Sequence, residues 1–209
     1  RDWSSDVCSS DRVEFSRGYK TMDRSYMESI WWVFRRLWDM DLVYRGYKIL
    51  PYCMRCATPL SNFEANQDYQ EIQDPSITVC FQSEDDPETY FLAWTTTPWT
   101  LPANLALAVH PDIDYVKVQD GDERYVLARE LLEAYYGKEA PEIVQAYKGS
   151  ELVGQLYKPL FPYFRHLAQD GAFRIVPGDF VGTESGTGLV HIAPGFGEDD
   201  HNVCLENEI

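Results

Sequence analysis

Basic residues are scarce in this sequence: 18 Lys and Arg stand against 34 Asp and Glu over 209 residues, a formal net charge of −16. Such an excess repels a polyanion, so phosphate contacts to any nucleic acid would have to come largely from elsewhere. No apolar run approaches the roughly 20 residues that a membrane-spanning helix requires, and no secretory leader is evident. A soluble, cytoplasmic protein with no membrane partner is therefore expected. The five cysteines, at 8, 53, 56, 80 and 204, are odd in number and scattered, which does not suit a disulfide framework and favours a reducing compartment. Only one Cys-x-x-Cys occurs. The Gly-x-Gly pairs at 186/188 and 195/197 lack the third glycine and the βαβ setting of a dinucleotide fingerprint. No internal repeat or low-complexity tract is present, which argues against a repeat architecture.

What is present is a globular composition, 44% hydrophobic, enough for one or two domains with a real core. Residues 1–11 are Ser/Asp-rich and aperiodic, and are expected to be a non-native or disordered leader without function. From Asp23 the pattern turns helical: Met27, Ile30, Trp31, Phe34, Leu37 and Trp38 recur at three and four residues and form one apolar stripe. Asp23 or Ser25 can cap the helix, Ser25 and Glu28 standing at capping-box spacing, and Trp31 and Trp38 read as core residues. An extended segment over 42–52 follows. Cys53-Met-Arg-Cys56 then supplies two thiolates at the spacing of half a tetrahedral zinc site; two free thiols or a redox pair fit the same residues.

A boundary is expected near residues 73–75. Beyond it the texture becomes short strands between turn residues, at 77–82, 90–97, 115–118, 124–128, 173–177 and 188–192. Acidic hairpin-like loops lie at 83–88 and 119–123, and a short helix at 129–136 is closed by Gly137. Many uneven strands with few helices indicate a mixed, barrel-like α/β domain.

Inside that domain lies Trp94-Thr-Thr-Thr-Pro-Trp-Thr-Leu-Pro-Ala-Asn104. Three consecutive threonines place three hydroxyls, each donor and acceptor, on stiff β-branched backbone, and Pro98 and Pro102 end the strand. An ordinary strand running into a Pro-rich turn would look the same. The whole string, however, resembles the threonine-rich signature of the editing domain inserted into isoleucyl-tRNA synthetases. A second stretch, Gly186-Thr-Gly-Leu-Val-His-Ile-Ala-Pro-Gly-Phe-Gly-Glu-Asp-Asp200, resembles the other half of the same site, with His191 and Asp200 nine residues apart as in that family. The valyl and leucyl relatives typically carry Arg after the threonines, so the continuation from Pro98 to Pro102 favours the isoleucine enzymes. Stretches 19–23, 28–34 and 59–64 resemble the catalytic domain around the insertion.

The resemblance covers residues 12–209. It implies a helix–strand remnant of a Rossmann-type catalytic domain with half a zinc knuckle at 12–74, and an editing domain, expected to be truncated at its C-terminus, from 75 onward. The two ATP-handling signatures of class I synthetases are absent, so this stretch is expected to be a fragment that cannot itself activate an amino acid; ATP, and a structural zinc shared with a second thiol pair, would belong to the full-length parent.

By the same resemblance, the reaction is hydrolysis of the ester in mischarged valyl-tRNA(Ile) by a positioned water, without a metal. Thr95, Thr96 and Thr97 would hold the terminal adenosine, the ester carbonyl and the water. Asp200 would pair with the substrate α-ammonium. His191 would wall the pocket against isoleucine's extra methylene, with a general-base role the weaker alternative. Trp99 would shape the side-chain pocket, Thr100 would join it in binding substrate, and Asn104 would lend amide hydrogen bonds. Expected partners are the tRNA(Ile) 3′ end, valine and isoleucine moieties, and the remainder of the synthetase. Read without the family, His191 is an ordinary semi-buried histidine and Asp200 an exposed acid in a Glu198-Asp199-Asp200 run. Phe196 stands where many relatives have His, and His201 where Tyr or Phe is common, so fine specificity is open. The competing reading is a catalytically silent zinc-binding or interaction fragment of the same family.

Overall fold

The computed structural model of the chain describes residue 18, residues 20–68 and residues 70–209; the leader expected at 1–11 lies outside them. The chain divides into two compact units, Arg1–Lys48 and Ile49–Ile209. In the first, the periodic stretch forms helix α1, Arg24–Asp39. Asp23 occupies the N-cap backbone position but its side chain makes no capping bond. The expected Ser25–Glu28 box does not form. Ser25 lies inside the helix and accepts from the Ser29 hydroxyl at 2.8 Å through its carbonyl, while Glu28 pairs with Arg24 at 2.8 Å. Nor are Trp31 and Trp38 core residues: no residue of α1 is buried, and the two rings are 69% and 56% exposed. Among the described residues of its unit, α1 has no second helix or strand against which to bury such a stripe.

The second unit opens with strands β1 (Tyr52–Cys53) and β2 (Thr58–Pro59), an antiparallel pair around the Cys53–Cys56 turn. A four-residue helix α2 (Asn62–Ala65) follows, started by a true capping box in which Ser61 and Glu64 satisfy each other's backbone N–H. Strands β3 (Ile77–Gln82), β4 (Thr89–Thr95), β5 (Ala106–Val109), β6 (Asp114–Asp120), β7 (Glu123–Ala128) and β8 (Glu142–Lys148) come next. A 3-10 turn at Arg129–Leu131 and helix α3 (Leu132–Tyr136) separate β7 from β8, Gly137 closing α3 with φ 69° as its position suggested. Helix α4 (Gly149–Leu152), strands β9 (Arg174–Pro177) and β10 (Val190–Ile192), and helix α5 (Glu198–Glu206) complete the unit.

These strands make two sheets. One runs β3-β4-β7-β6-β8, antiparallel except for the β4–β7 pair; the other runs β10-β5-β9, with β5 antiparallel to β10 and parallel to β9. Both are open, so the mixed α/β domain is barrel-like only in that two sheets enclose one core. That core takes Phe81, Phe91, Val126 and Tyr115 from the larger sheet and Leu107, Val109 and Ile175 from the smaller. Outside it, α3 covers Val116, Val118 and Leu127, and α5 lays Val203 and Cys204 on Ala106, Ala108, Val176 and Ile192. Cys53, Cys56, Cys80 and Cys204 are free thiols.

Strands β5 and β8 carry no sequence signal of their own. The run Ala-Leu-Ala-Val has no polar alternation, because both faces of β5 are buried, and such a run cannot be told from a helix segment by period. Strand β8 fails for the opposite reason, being exposed along almost its whole length at the sheet edge.

The loop before β10 is seated by Gly188. Its φ is +78°, and a Cβ there would stand 2.3 Å from Ala128 Cβ, while its carbonyl accepts from the Tyr115 hydroxyl at 2.7 Å. Gly188→Ala should therefore lower the unfolding free energy by about 2 kcal/mol or more, combining left-handed strain with overpacking. Gly182→Ala, where a Cβ meets nothing within 4 Å, should change it by less than about 0.5 kcal/mol. Urea denaturation of both variants is the measurement.

Candidate functional site

Strand β4 ends at Thr95, and Pro98 starts a 3-10 helix, Pro98–Ala103, that turns the chain toward β5. Thr97 is the corner. Its N–H donates to Thr95 Oγ1 at 3.0 Å, and the two hydroxyl oxygens lie 3.2 Å apart. Its carbonyl accepts both the N–H and the hydroxyl of Thr100, at 3.0 and 2.8 Å. Thr95 and Thr100 are buried, Thr96 and Thr97 half-buried, and Trp99 is 67% exposed.

The second string enters through β10, where His191 lies directly across from Leu107 of β5. His191 is buried, and its Nε2 sits 2.8 Å from Thr100 Oγ1. Burial disfavours the imidazolium and pulls its pKa down to about 4. The other ring nitrogen, Nδ1, is buried without a hydrogen-bond partner. Two residues on, the Ala193 N–H donates to Asp200 Oδ2 at 2.8 Å. Asp200 lies in the first turn of α5, where the helix dipole favours a carboxylate. Its pKa is nevertheless raised, first by partial burial and also by Asp199, against the lowering effect of the Ala193 bond.

Thr95, Thr97, Thr100 and His191 thus form one hydrogen-bonded chain, its Thr100–His191 link joining residues 91 positions apart, and Asp200 is held separately, by the Ala193 N–H. Asn104 is arranged differently from its expected free role. It is buried, its Nδ2 donates to the Ala106 carbonyl at 2.9 Å, and its Oδ1 accepts from the Tyr157 hydroxyl at 2.7 Å, so the amide is engaged within the fold. A cavity of about 640 Å³ abuts both strings, with Trp94, Phe180, Thr187, Leu189 and Val190 among its walls. Thr95, Thr96, Thr97, His191 and Asp200 do not line it. Thr187 and Tyr157 are two buried supports that sequence reasoning missed: Thr187 Oγ1 donates to the Leu92 carbonyl at 2.6 Å, and Tyr157 is fully buried. Thr187 stands inside the quoted Gly-Thr-Gly, which was a usable signal; Tyr157 had none.

Cys53 and Cys56 stand in the β1–β2 knuckle. The Cys56 N–H points at Cys53 Sγ from 3.4 Å, and this bond and the Cys56 thiol lower the Cys53 pKa while the Cys53 thiol raises that of Cys56. A thiolate acceptor facing turn N–H groups suits metal ligation, but the donor set is two thiols, and no group of three ligating side chains occurs among the described residues.

Residues 9–185 match the family described as tRNA synthetases class I (I, L, M and V), and the chain belongs to that family. Within it, the chain is 54% identical to "Isoleucine--tRNA ligase" of Tetrahymena thermophila over 201 residues, 94% of this chain and 19% of that protein. It is 48% identical to "Isoleucine--tRNA ligase, cytoplasmic" of Mus musculus over 212 residues, all of this chain and 17% of that protein. The chain therefore spans about a fifth of the length of the curated relatives it matches. Its fold is similar to a solved structure described as "The crystal structure of GlLeuRS-CP1", with a TM-score of 0.53 at 19% identity, covering 64% of this chain and 61% of that one.

The buried histidine has a pH signature. Unfolded, it titrates near 6.5; folded, at about 4. Between those values the unfolded chain holds a proton that the native one lacks, so this contribution to stability is complete above about pH 6.5 and is lost as pH falls toward 4. At about 1.4 kcal/mol per unit, the loss is about 3 kcal/mol at most. His191→Gln should flatten the stability profile over that interval, as measured by urea midpoints at pH 7 and 4.5.

Proposed function

We propose that this chain is the editing portion of an isoleucyl-tRNA synthetase and hydrolyses the ester joining valine to the 3′ adenosine of isoleucine tRNA. The longer protein would ligate isoleucine to that tRNA with ATP in the cytoplasm. An apolar pocket gains only roughly 1–3 kcal/mol from one methylene, so a synthetic site that prefers isoleucine still accepts valine at a finite rate. A second site that destroys the smaller product removes the error.

The observation that supports this reading is the 2.8 Å contact between Thr100 and His191, which joins the two signature strings, Asp200 being tied to the second of them by the Ala193 N–H. An aminoacyl ester is already activated, so a placed water and a held substrate can supply much of the acceleration without a metal or a covalent intermediate. Asp200 would take the α-ammonium. Its raised pKa marks a carboxylate short of counter-charge, and an arriving cation restores what burial took away. His191 and Thr100, both buried, would present the wall that isoleucine's extra methylene meets. Thr95, Thr96 and Thr97 would hold the ester, the adenosine and the water, with Trp99 shaping the side-chain pocket.

Valyl-tRNA(Ile) incubated with the chain should release valine, and Asp200→Ala should slow that release about 100-fold, the order expected for losing a charge-assisted bond. Equal release from both proteins overturns the assignment. The alternative, a silent zinc-binding fragment, draws on the preformed Cys53–Cys56 turn, which in the longer protein would give two ligands to a structural zinc. Metal analysis separates the two: stoichiometric zinc lost in Cys53→Ser and Cys56→Ser, with no valine release, favours the silent module.

A further inference from the structure

Thr100, His191 and Thr97 constrain where the imidazole proton resides. The Thr97 carbonyl has two lone pairs and only accepts; it receives the Thr100 N–H at 3.0 Å and lies 2.8 Å from the Thr100 hydroxyl. The same hydroxyl oxygen is 2.8 Å from His191 Nε2. A hydroxyl has one proton. If it goes to Thr97, Nε2 must carry its own proton and donate to Thr100 Oγ1, and all three bonds are made. If it goes to His191 instead, its bond to the Thr97 carbonyl is lost and the ring proton moves to Nδ1, where it finds no acceptor. The first arrangement makes one more hydrogen bond and leaves no N–H buried unpaired.

We propose that Thr100 is a positioning residue that locks His191 in its neutral Nε2–H form, so that the free nitrogen, Nδ1, is an acceptor. His191 then serves a bound molecule only by receiving an N–H or O–H, from an ammonium or a water. It cannot donate to an ester carbonyl. That such a molecule is an aminoacyl ester rests on the editing reading above; the position of the proton does not.

The test is nitrogen NMR of the whole chain grown with ¹⁵N-labelled histidine, which distinguishes a protonated from a bare ring nitrogen. At pH 7, wild type should show His191 with Nε2 protonated and Nδ1 bare. Thr100→Val, which removes the acceptor, should move the ring toward a mixture of the two forms, and Thr100→Ser should restore the wild-type pattern. A protonated Nδ1 in wild type overturns the proposal outright. So does an unchanged pattern in a folded Thr100→Val. Because wild type is informative by itself, a variant that fails to fold leaves the test intact. Valine release measured on the same samples bears on the editing reading alone: the proton pattern without release refutes that reading and keeps the lock.

Discussion

Every residue of the strand Ala106–Val109 is sealed from solvent, and the geometry of the site descends from that fact. A strand with no wet face must satisfy its backbone in ladders on both edges, and here it does so with β10 on one side and β9 on the other. Leu107 and Val109 fill the space between the sheets, while Ala106 and Ala108 are small enough for α5 to pack against the back. The threonine corner is joined to this strand covalently through residues 101–105. His191 is joined to it by hydrogen bonds, across a spacing of about 4.8 Å. The separation of the two signature halves is therefore that of one ladder, and a slip of one residue would turn His191 to the opposite face.

Around that ladder the chemistry is mostly uncharged. Hydroxyls, an imidazole held neutral by burial and backbone N–H groups make the wall, and Asp200 is an acid drawn partly out of water, bonded to the Ala193 N–H two residues past His191. Within a chain of net charge −16, such a carboxylate is a poor neighbour for another anion and a good one for a cation. The net charge and the partly buried acid would thus act in opposite directions on any molecule bearing both phosphates and an ammonium, the first opposing the polyanion and the second favouring the cation.

Two parts of the chain show side-chain patterns that find no complement among the described residues. The stripe on α1 is well formed in sequence and exposed in the structure, and the Cys53–Cys56 turn brings together two thiols, half the number of ligands that structural zinc takes. Both fall in a chain that spans 19% of its Tetrahymena relative. Patterns of this kind report the local conformation without fixing what, if anything, packs against it.

Local rules were enough for the sequence to determine the α1 helix, most of the strands, the Gly137 stop and the membership of a class I synthetase family, because periodicity, turn residues and motif order act over a few residues. The proline-terminated threonine strand and the spacing of His191 and Asp200 were equally legible. Tertiary structure alone decided that Asn104 turns its amide inward to Ala106 and Tyr157, that Tyr157 and Thr187 brace the site, and that Thr100 meets His191. Those contacts join residues from two to 95 positions apart, and most depend on how two sheets stack. A one-dimensional pattern records which side chains could bond, whereas burial selects the bonds that must form, because a polar atom removed from water has to find a partner inside.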